Sequence, residues 1–243
     1  MAKNYKILKV KDHTDSYYQS IDDLFDMPFR ILINGKSQYS GKTTAILNLM
    51  CNPEFPYTDK FKGENIYICS NNKLDNKLKI MMDRMEIPES NSFMYDEDYL
   101  EMLYESLEQE FHEEVNMDKK PSPKLIVFDD CGYSGSLKSK INGIVSRMIC
   151  NGRHLNLSQI YTSQKYSQCS TTLRTNITGA ILFGTTSKEV DLITEDMSYL
   201  ENKRDFVKLY RETTREPRSF LVVNFSNGTD GLYMDSEFKP LLS

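Results

Sequence analysis

Two short stretches of this chain carry residue types that could do chemistry together. The first is Asn34-Gly35-Lys36-Ser37-Gln38-Tyr39-Ser40-Gly41-Lys42-Thr43-Thr44, and the second is the pair Asp129-Asp130. Small residues let backbone N–H groups curl around phosphate oxygens, and a helix that opens from such a loop adds partial positive charge at its N-terminus. A lysine must then reach the β- and γ-phosphates, and a serine or threonine hydroxyl must ligate magnesium. Lys42 and Thr43 supply those two groups, and Gly35, Ser37, Ser40, Gly41 and Thr44 complete the candidate cradle. The usual phosphate loop places four residues between its glycines. Here five separate Gly35 from Gly41, and Lys36 stands where the first glycine is expected. The loop is therefore one residue longer or is anchored differently. The plain alternative is a turn that happens to precede a helix.

The acids follow Lys124-Leu125-Ile126-Val127-Phe128, the clearest strand pattern in the chain. A nearly continuous apolar run suits a central parallel strand covered on both faces. In open α/β sheets ligands bind at the carboxyl ends of the strands, which places Asp129 and the loop on one edge. An acid ending a buried strand needs a partner, and magnesium is a natural one. Asp129 would hold the metal, with Thr43. Asp130 would orient or deprotonate an attacking water. The alternative is a helix cap after a core strand. Taken with Lys42-Thr43, the pair points to a P-loop ATPase that uses ATP and Mg²⁺.

The elements that must position these groups can be read from the pattern. Phe29–Asn34 predicts a short buried strand, and Thr43–Met50 a helix ended by Pro53 and Pro56. Further strands are expected at Asn65–Ser70, Ser158–Gln164, Ala180–Gly184 and Ser219–Phe225, with helices at 73–86, 137–152 and 187–213. Residues 96–117 read as an acidic amphipathic helix, with Tyr99, Met102, Leu103, Leu107 and Phe111 at helical spacing and a solvated charged face. Strands alternating with helices give an α/β fold: a P-loop NTPase with a mostly parallel central sheet flanked by helices. Residues 1–26 are expected to be a polar leader, 27–225 the ATPase domain, and 226–243 a short irregular tail.

Composition narrows the class. Hydrophobic residues are 39% and charged residues 27% of 243, which suits a globular chain with a real core. No apolar run approaches the roughly 20 residues of a membrane span, and nothing at the start reads as a secretory signal. The chain is expected to begin its life in the cytosol. Cys51, Cys69, Cys131, Cys150 and Cys169 are scattered and form no C-x-x-C pair, so they read as reduced thiols. Three histidines do not supply a histidine-rich metal site. The net charge of −5 argues against a general nucleic-acid coating protein but leaves room for a local basic patch.

Several segments resemble the genome-packaging ATPases of large DNA viruses, virophages and related elements, within the FtsK–HerA superfamily. Met27-Pro28-Phe29-Arg30 and Leu125-Ile126-Val127-Phe128-Asp129-Asp130 are similar to the poxvirus-type members. The more specific match is Gly152-Arg153-His154-Leu155-Asn156 followed by Gln164-Lys165-Tyr166, and Arg174-Thr175-Asn176-Ile177-Thr178 also fits. The similarity covers roughly residues 27 to 185. It implies a motor that pumps double-stranded DNA into a preformed capsid, working as a homo-oligomeric ring at the capsid vertex, in the host cytoplasm or the virion. Carried over by position, Asp130 would be the catalytic acid, Gln164 would sense the γ-phosphate, and Arg153 would enter a neighbouring subunit's site as an arginine finger. Arg174 would be a second finger or a DNA contact. DNA would be gripped through its phosphates, with Lys138, Lys140 and Lys165 as candidates by position alone.

Taken residue by residue, each role has a plainer counterpart. Gln164 could make a loop hydrogen bond, Arg153 could be a surface or helix-end charge, and His154 could simply be packed. Two other readings of the whole chain remain open. One is a P-loop kinase acting on a small molecule, with Arg204, Arg211, Arg215 and Arg218 as a lid. The other is a non-catalytic nucleotide-binding scaffold of a viral assembly, which the intact Lys42, Thr43, Asp129 and Asp130 argue against.

Overall fold

The computed structural model describes residues 16–22, 24–37, 40–71, 75–131 and 143–242. The phosphate-loop candidate lies between β1 (Arg30–Asn34) and α1 (Lys42–Cys51). Then follow β2 (Ile66–Ser70), α2 (Asn76–Arg84), β3 (Ser92–Met94), α3 (Glu97–Asn116), β4 (Lys124–Asp129) and α4 (Ile144–Asn151). The second half carries β5 (Leu157–Ser163), α5 (Thr171–Asn176), β6 (Gly179–Phe183), α6 (Ser187–Met197), α7 (Lys203–Thr213), β7 (Phe220–Asn224) and β8 (Tyr233–Met234). Among the described residues these strands form one sheet in the order β3-β2-β4-β5-β1-β6-β7-β8. The pairings from β3 to β6 are parallel, while β7 and β8 add antiparallel. The α/β class and the mostly parallel sheet are as the sequence pattern indicates.

Side chains alternate across a strand with period two, and the two faces of this sheet carry two cores. Ile31, Ile33, Leu125, Val127 and Ile160 pack with Ile46, Leu49 and Met50 of α1 and Leu78, Met81 and Met82 of α2. Leu32, Ile126, Phe128 and Tyr161 face the other way, onto α3 to α7. Each of these side chains is fully or almost fully buried, a burial worth about 1.5–3 kcal/mol apiece. The parity has a consequence for chemistry. Asp129 follows Leu125 and Val127, and Thr162 follows Ile160, so both belong to the face covered by α1.

Some expectations shift. The buried stripe of α3 is Leu100, Tyr104, Leu107 and Phe111, whereas Met102 is 63% exposed. The expected helix over 187–213 is two helices, α6 and α7, with Tyr233 donating its hydroxyl to Met197 O where the chain turns. The helix expected from 137 begins, among the described residues, at Ile144. β3, α5 and β8 carry too few residues for a periodic signal, and β8 gives the segment after Ser226 regular structure. Residues 16–22 and 24–26 pack on the sheet through Tyr17 and Phe25. Tyr17 and Phe25 are buried, Tyr17 donates its hydroxyl to His154 O, and Asn224 donates its side-chain amide to Leu24 O. All five cysteines are free thiols.

Candidate active site at the carboxyl edge of the sheet

Gly35 follows β1 with no room for a side chain: an added Cβ would lie 2.7 Å from Phe183 Cβ and 2.8 Å from Ser40 Cβ. Gly41 precedes α1 with φ of 97°, in the left-handed region that glycine enters at no steric cost. Between them Ser40 donates its hydroxyl to Lys36 O at 2.6 Å. The Lys42 ammonium donates to Gly35 O at 2.8 Å and Lys36 O at 3.2 Å. It thus pins the start of the loop to the first turn of the helix, with one of its three donors to spare. Burial pushes the Lys42 pKa down, and the nearby Asp130 and Asp129 oppose that shift. Ser37, Ser40, Gly41, Lys42, Thr43 and Thr44 all line one cavity of about 490 Å³, together with Asp75, Lys77 and several aromatic rings. Lys77 donates to Thr44 Oγ1 at 2.6 Å. Gln38 and Tyr39 lie outside the described residues.

Strand order decides how the acids meet this loop. β5 lies between β1 and β4, so the loop and the acids stand about 10 Å apart with the end of β5 between them. Thr162 and Gln164 fill that interval. The Thr162 hydroxyl donates to Asp129 Oδ1 at 3.0 Å and accepts the Asp130 backbone N–H at 2.7 Å. Asp130 reaches that position with φ of 53°, a left-handed conformation that aspartate tolerates better than most residues. The Gln164 amide donates to Asp130 Oδ1 at 3.0 Å and Oδ2 at 2.8 Å. Since a carboxylate only accepts, it is the amide nitrogen of Gln164 that faces it. The residue before Gln164 is tied to the loop, because Ser163 O accepts both the Gly35 N–H at 3.0 Å and the Asn34 side-chain amide at 3.2 Å.

Burial raises the pKa of Asp129, the Thr162 hydrogen bond opposes the rise, and Asp130 adds to it. A carboxylate held in that setting carries a desolvation cost that a bound cation offsets. Asp129 and Thr43, on the same side of the sheet, therefore suit a magnesium ion.

The remaining candidates lie elsewhere. Arg153 is exposed in the turn before β5, at the amino edge of the sheet, and its Nε donates to His154 Nε2 at 3.3 Å. Arg174 in α5 is paired with Asp196 Oδ2 at 2.6 Å and stacks over the Tyr166 ring at 5.2 Å. Lys165 lines a second cavity of about 510 Å³ with Lys36, Gln164 and Lys188. Lys138 and Lys140 lie outside the described residues. Of Arg204, Arg211, Arg215 and Arg218, Arg218 alone lines the cavity beside the loop. Thr162, Phe55, Phe220 and Phe238 went unmarked in the sequence; strand parity with Asp129 is the signal that could have found Thr162.

Residues 17–236 match the family model described as poxvirus A32 protein. The chain belongs to the poxvirus A32 protein family. No curated protein matches the sequence. Among solved structures, this family member is similar to the genome packaging NTPase B204 from Sulfolobus turreted icosahedral virus 2, in complex with ATP-gammaS. That likeness has 16% identity and a TM-score of 0.57, over 88% of this chain and 99% of that one. It is also similar to ATPases 2 and 3 of EssC from Geobacillus thermodenitrificans, with 15% identity and a TM-score of 0.57, over 84% of this chain and 41% of that one. These likenesses show a shared fold, that of a P-loop NTPase.

Proposed function

We propose that this chain hydrolyses ATP and couples the reaction to movement of double-stranded DNA, packaging a viral genome into a preformed capsid. Membership of the A32 family supports the packaging role. The observation that carries the chemistry is the contact of Gln164 with both oxygens of Asp130, beside the loop that holds Lys42.

In this reading Gly35, Ser37, Ser40, Gly41 and Thr44 form the phosphate cradle, and Lys42 carries the charge that meets the β- and γ-phosphates. Asp130 takes a proton from the attacking water or orients it. Gln164, bonded to Asp130 and adjoining Ser163, which accepts from the loop, would transmit the presence of the γ-phosphate to the end of β5. A magnesium ion held by Thr43 and Asp129 would neutralise charge on the phosphate oxygens. Arg153 stands at the amino edge, the length of a seven-residue strand, or about 20 Å, from its own loop. It can therefore act as a finger only on a neighbouring subunit, which suits a homo-oligomeric ring. DNA would be held by its phosphates, with Lys165 as one contact and Arg174 as a weaker one because Asp196 already holds its charge. Such a motor would act in the host cytoplasm and at a capsid vertex.

Steady-state ATP hydrolysis with and without double-stranded DNA tests the reading, on wild type, Lys42→Ala and Arg153→Ala and on mixtures of the two variants. DNA-stimulated turnover, two inactive variants and partial recovery on mixing are expected. Normal hydrolysis by Arg153→Ala and indifference to DNA would remove the finger and the motor together.

A further inference from the structure

The cavity that begins at the phosphate loop does not end there. Beyond Thr44 and Asn48 it is walled by Phe55, Phe183, Phe220 and Phe238. The rings form a chain of edge contacts, with centroids 5.1 Å apart for Phe183 and Phe220, 6.1 Å for Phe220 and Phe238, and 5.3 Å for Phe238 and Phe55. Phe55, Phe220 and Phe238 are only partly buried. The volume, about 490 Å³, falls in the range of small-ligand pockets.

The backbone is shaped for this wall. Phe238 has φ of 61° and Arg218, on the same cavity, has φ of 69°. Both are left-handed conformations that disfavour bulky side chains, and such strain concentrates at functional sites. Phe238 is held there by a tight turn. The Asp235 carboxylate accepts the N–H groups of Glu237 and Lys239, Phe238 N–H donates to Asp235 O, and Asp235 N–H donates to Lys239 O.

We propose that this aromatic slot seats the nucleobase of the nucleotide, with the Asp235–Lys239 turn as a clamp that lays the Phe238 ring against the base. The inference rests on the phosphate-loop reading and deepens it. A base–aromatic contact is worth roughly a tenfold or greater gain in affinity. Stacking also tolerates different bases, because every base has a π-face. The slot is therefore a general base site more than a strict adenine reader.

The protein has no tryptophan, so Phe238→Trp installs a single reporter. ATP and GTP should both quench its emission saturably. Inorganic tripolyphosphate should compete with ATP for binding but should not itself quench. In titrations of the full chain, Phe55→Ala and Phe238→Ala should weaken ATP about tenfold and leave tripolyphosphate affinity within twofold, which also certifies the fold. Phe238→Gly, suited to the backbone at that position, should behave likewise. If these variants bind ATP as wild type does while Lys42→Ala binds neither ligand, the base sits elsewhere and the loop reading stands. If Lys42→Ala binds both ligands normally, the loop reading falls and the slot with it.

Discussion

The hydroxyl of Thr162 joins the side chain of one acid to the backbone of the other. Its loss in Thr162→Val should remove both hydrogen bonds while keeping the shape. The expected result is a fall in kcat of tenfold or more with KM for ATP nearly unchanged, and a stability cost of about 1–3 kcal/mol from the orphaned groups. Steady-state kinetics beside urea denaturation would show it, and an unchanged kcat would free Asp130 from dependence on Thr162. Asp129 gives a second prediction. Burial, the largest influence on it, raises its pKa when folded. A carboxyl that binds its proton more tightly in the folded state makes stability fall as pH rises from the unfolded value through the raised folded value. Asp129→Asn removes that ionisation. It should abolish hydrolysis yet raise Tm at pH 7, by about 2–4 °C per kcal/mol recovered, and the gain should fade as pH drops into that window. Calorimetry at several pH values decides it; a lower Tm at pH 7 would mean that the Thr162 and Lys42 interactions outweigh the desolvation. Lys42, Thr43, Asp129 and Asp130 stand out as candidates in the sequence because the signal for them lies in local spacing. Thr162 was not, because a threonine in a strand gains significance only from the strand beside it.

At the scale of secondary elements, packing decides what the sequence pattern leaves open. The segment before β1 packs its Phe25 ring where a side chain on Gly179 would stand, since a Cβ there would come within 2.2 Å of Phe25 Cε1. Gly179→Ala should cost about 1–3 kcal/mol by overpacking, and Phe25→Ala about 3–5 kcal/mol by leaving a cavity. The double variant should cost less than the sum, because the new methyl group enters space the ring has left. A urea-denaturation cycle gives that coupling, and strict additivity would show that the two do not meet. Periodicity places the α3 stripe one position off at Tyr99 and Leu103, where Leu100 and Tyr104 are the buried residues: neighbours on a helix are both apolar here, and the pattern alone cannot choose between them without the packing partner. The break between α6 and α7 has no sequence mark, since Ser198–Asn202 carries no proline or glycine; tertiary anchoring of Met197 O by Tyr233 turns the chain there.

At the scale of the molecule, the sheet has two chemical edges. The carboxyl edge gathers the loop, the acids and Gln164; the amino edge exposes Arg153. If the protomers assemble as proposed, specific activity of the wild type should rise with protein concentration and reach a plateau, and dilution below assembly should lose it. DNA affinity measured across a salt series tests the basic cavity. Each lysine–phosphate contact adds about 0.9 to the slope of log affinity against log salt, so Lys165→Glu should reduce that slope by about one. An unchanged slope would remove Lys165 from the DNA path. The sequence by itself determined the α/β class, the parallel central strands, the candidate phosphate-loop and acid pairs, and the resemblance to packaging ATPases. Those rest on short-range signals: an apolar run covered on both faces, a glycine that opens a helix, an acid at a strand end. Only the tertiary structure decided that β5 lies between β1 and β4, that Gln164 therefore touches Asp130, and that four phenylalanines far apart in the chain wall one cavity. The physical reason is that strand order is fixed by the packing of whole helices onto both faces of the sheet, and that packing joins residues which carry no mark of one another along the chain.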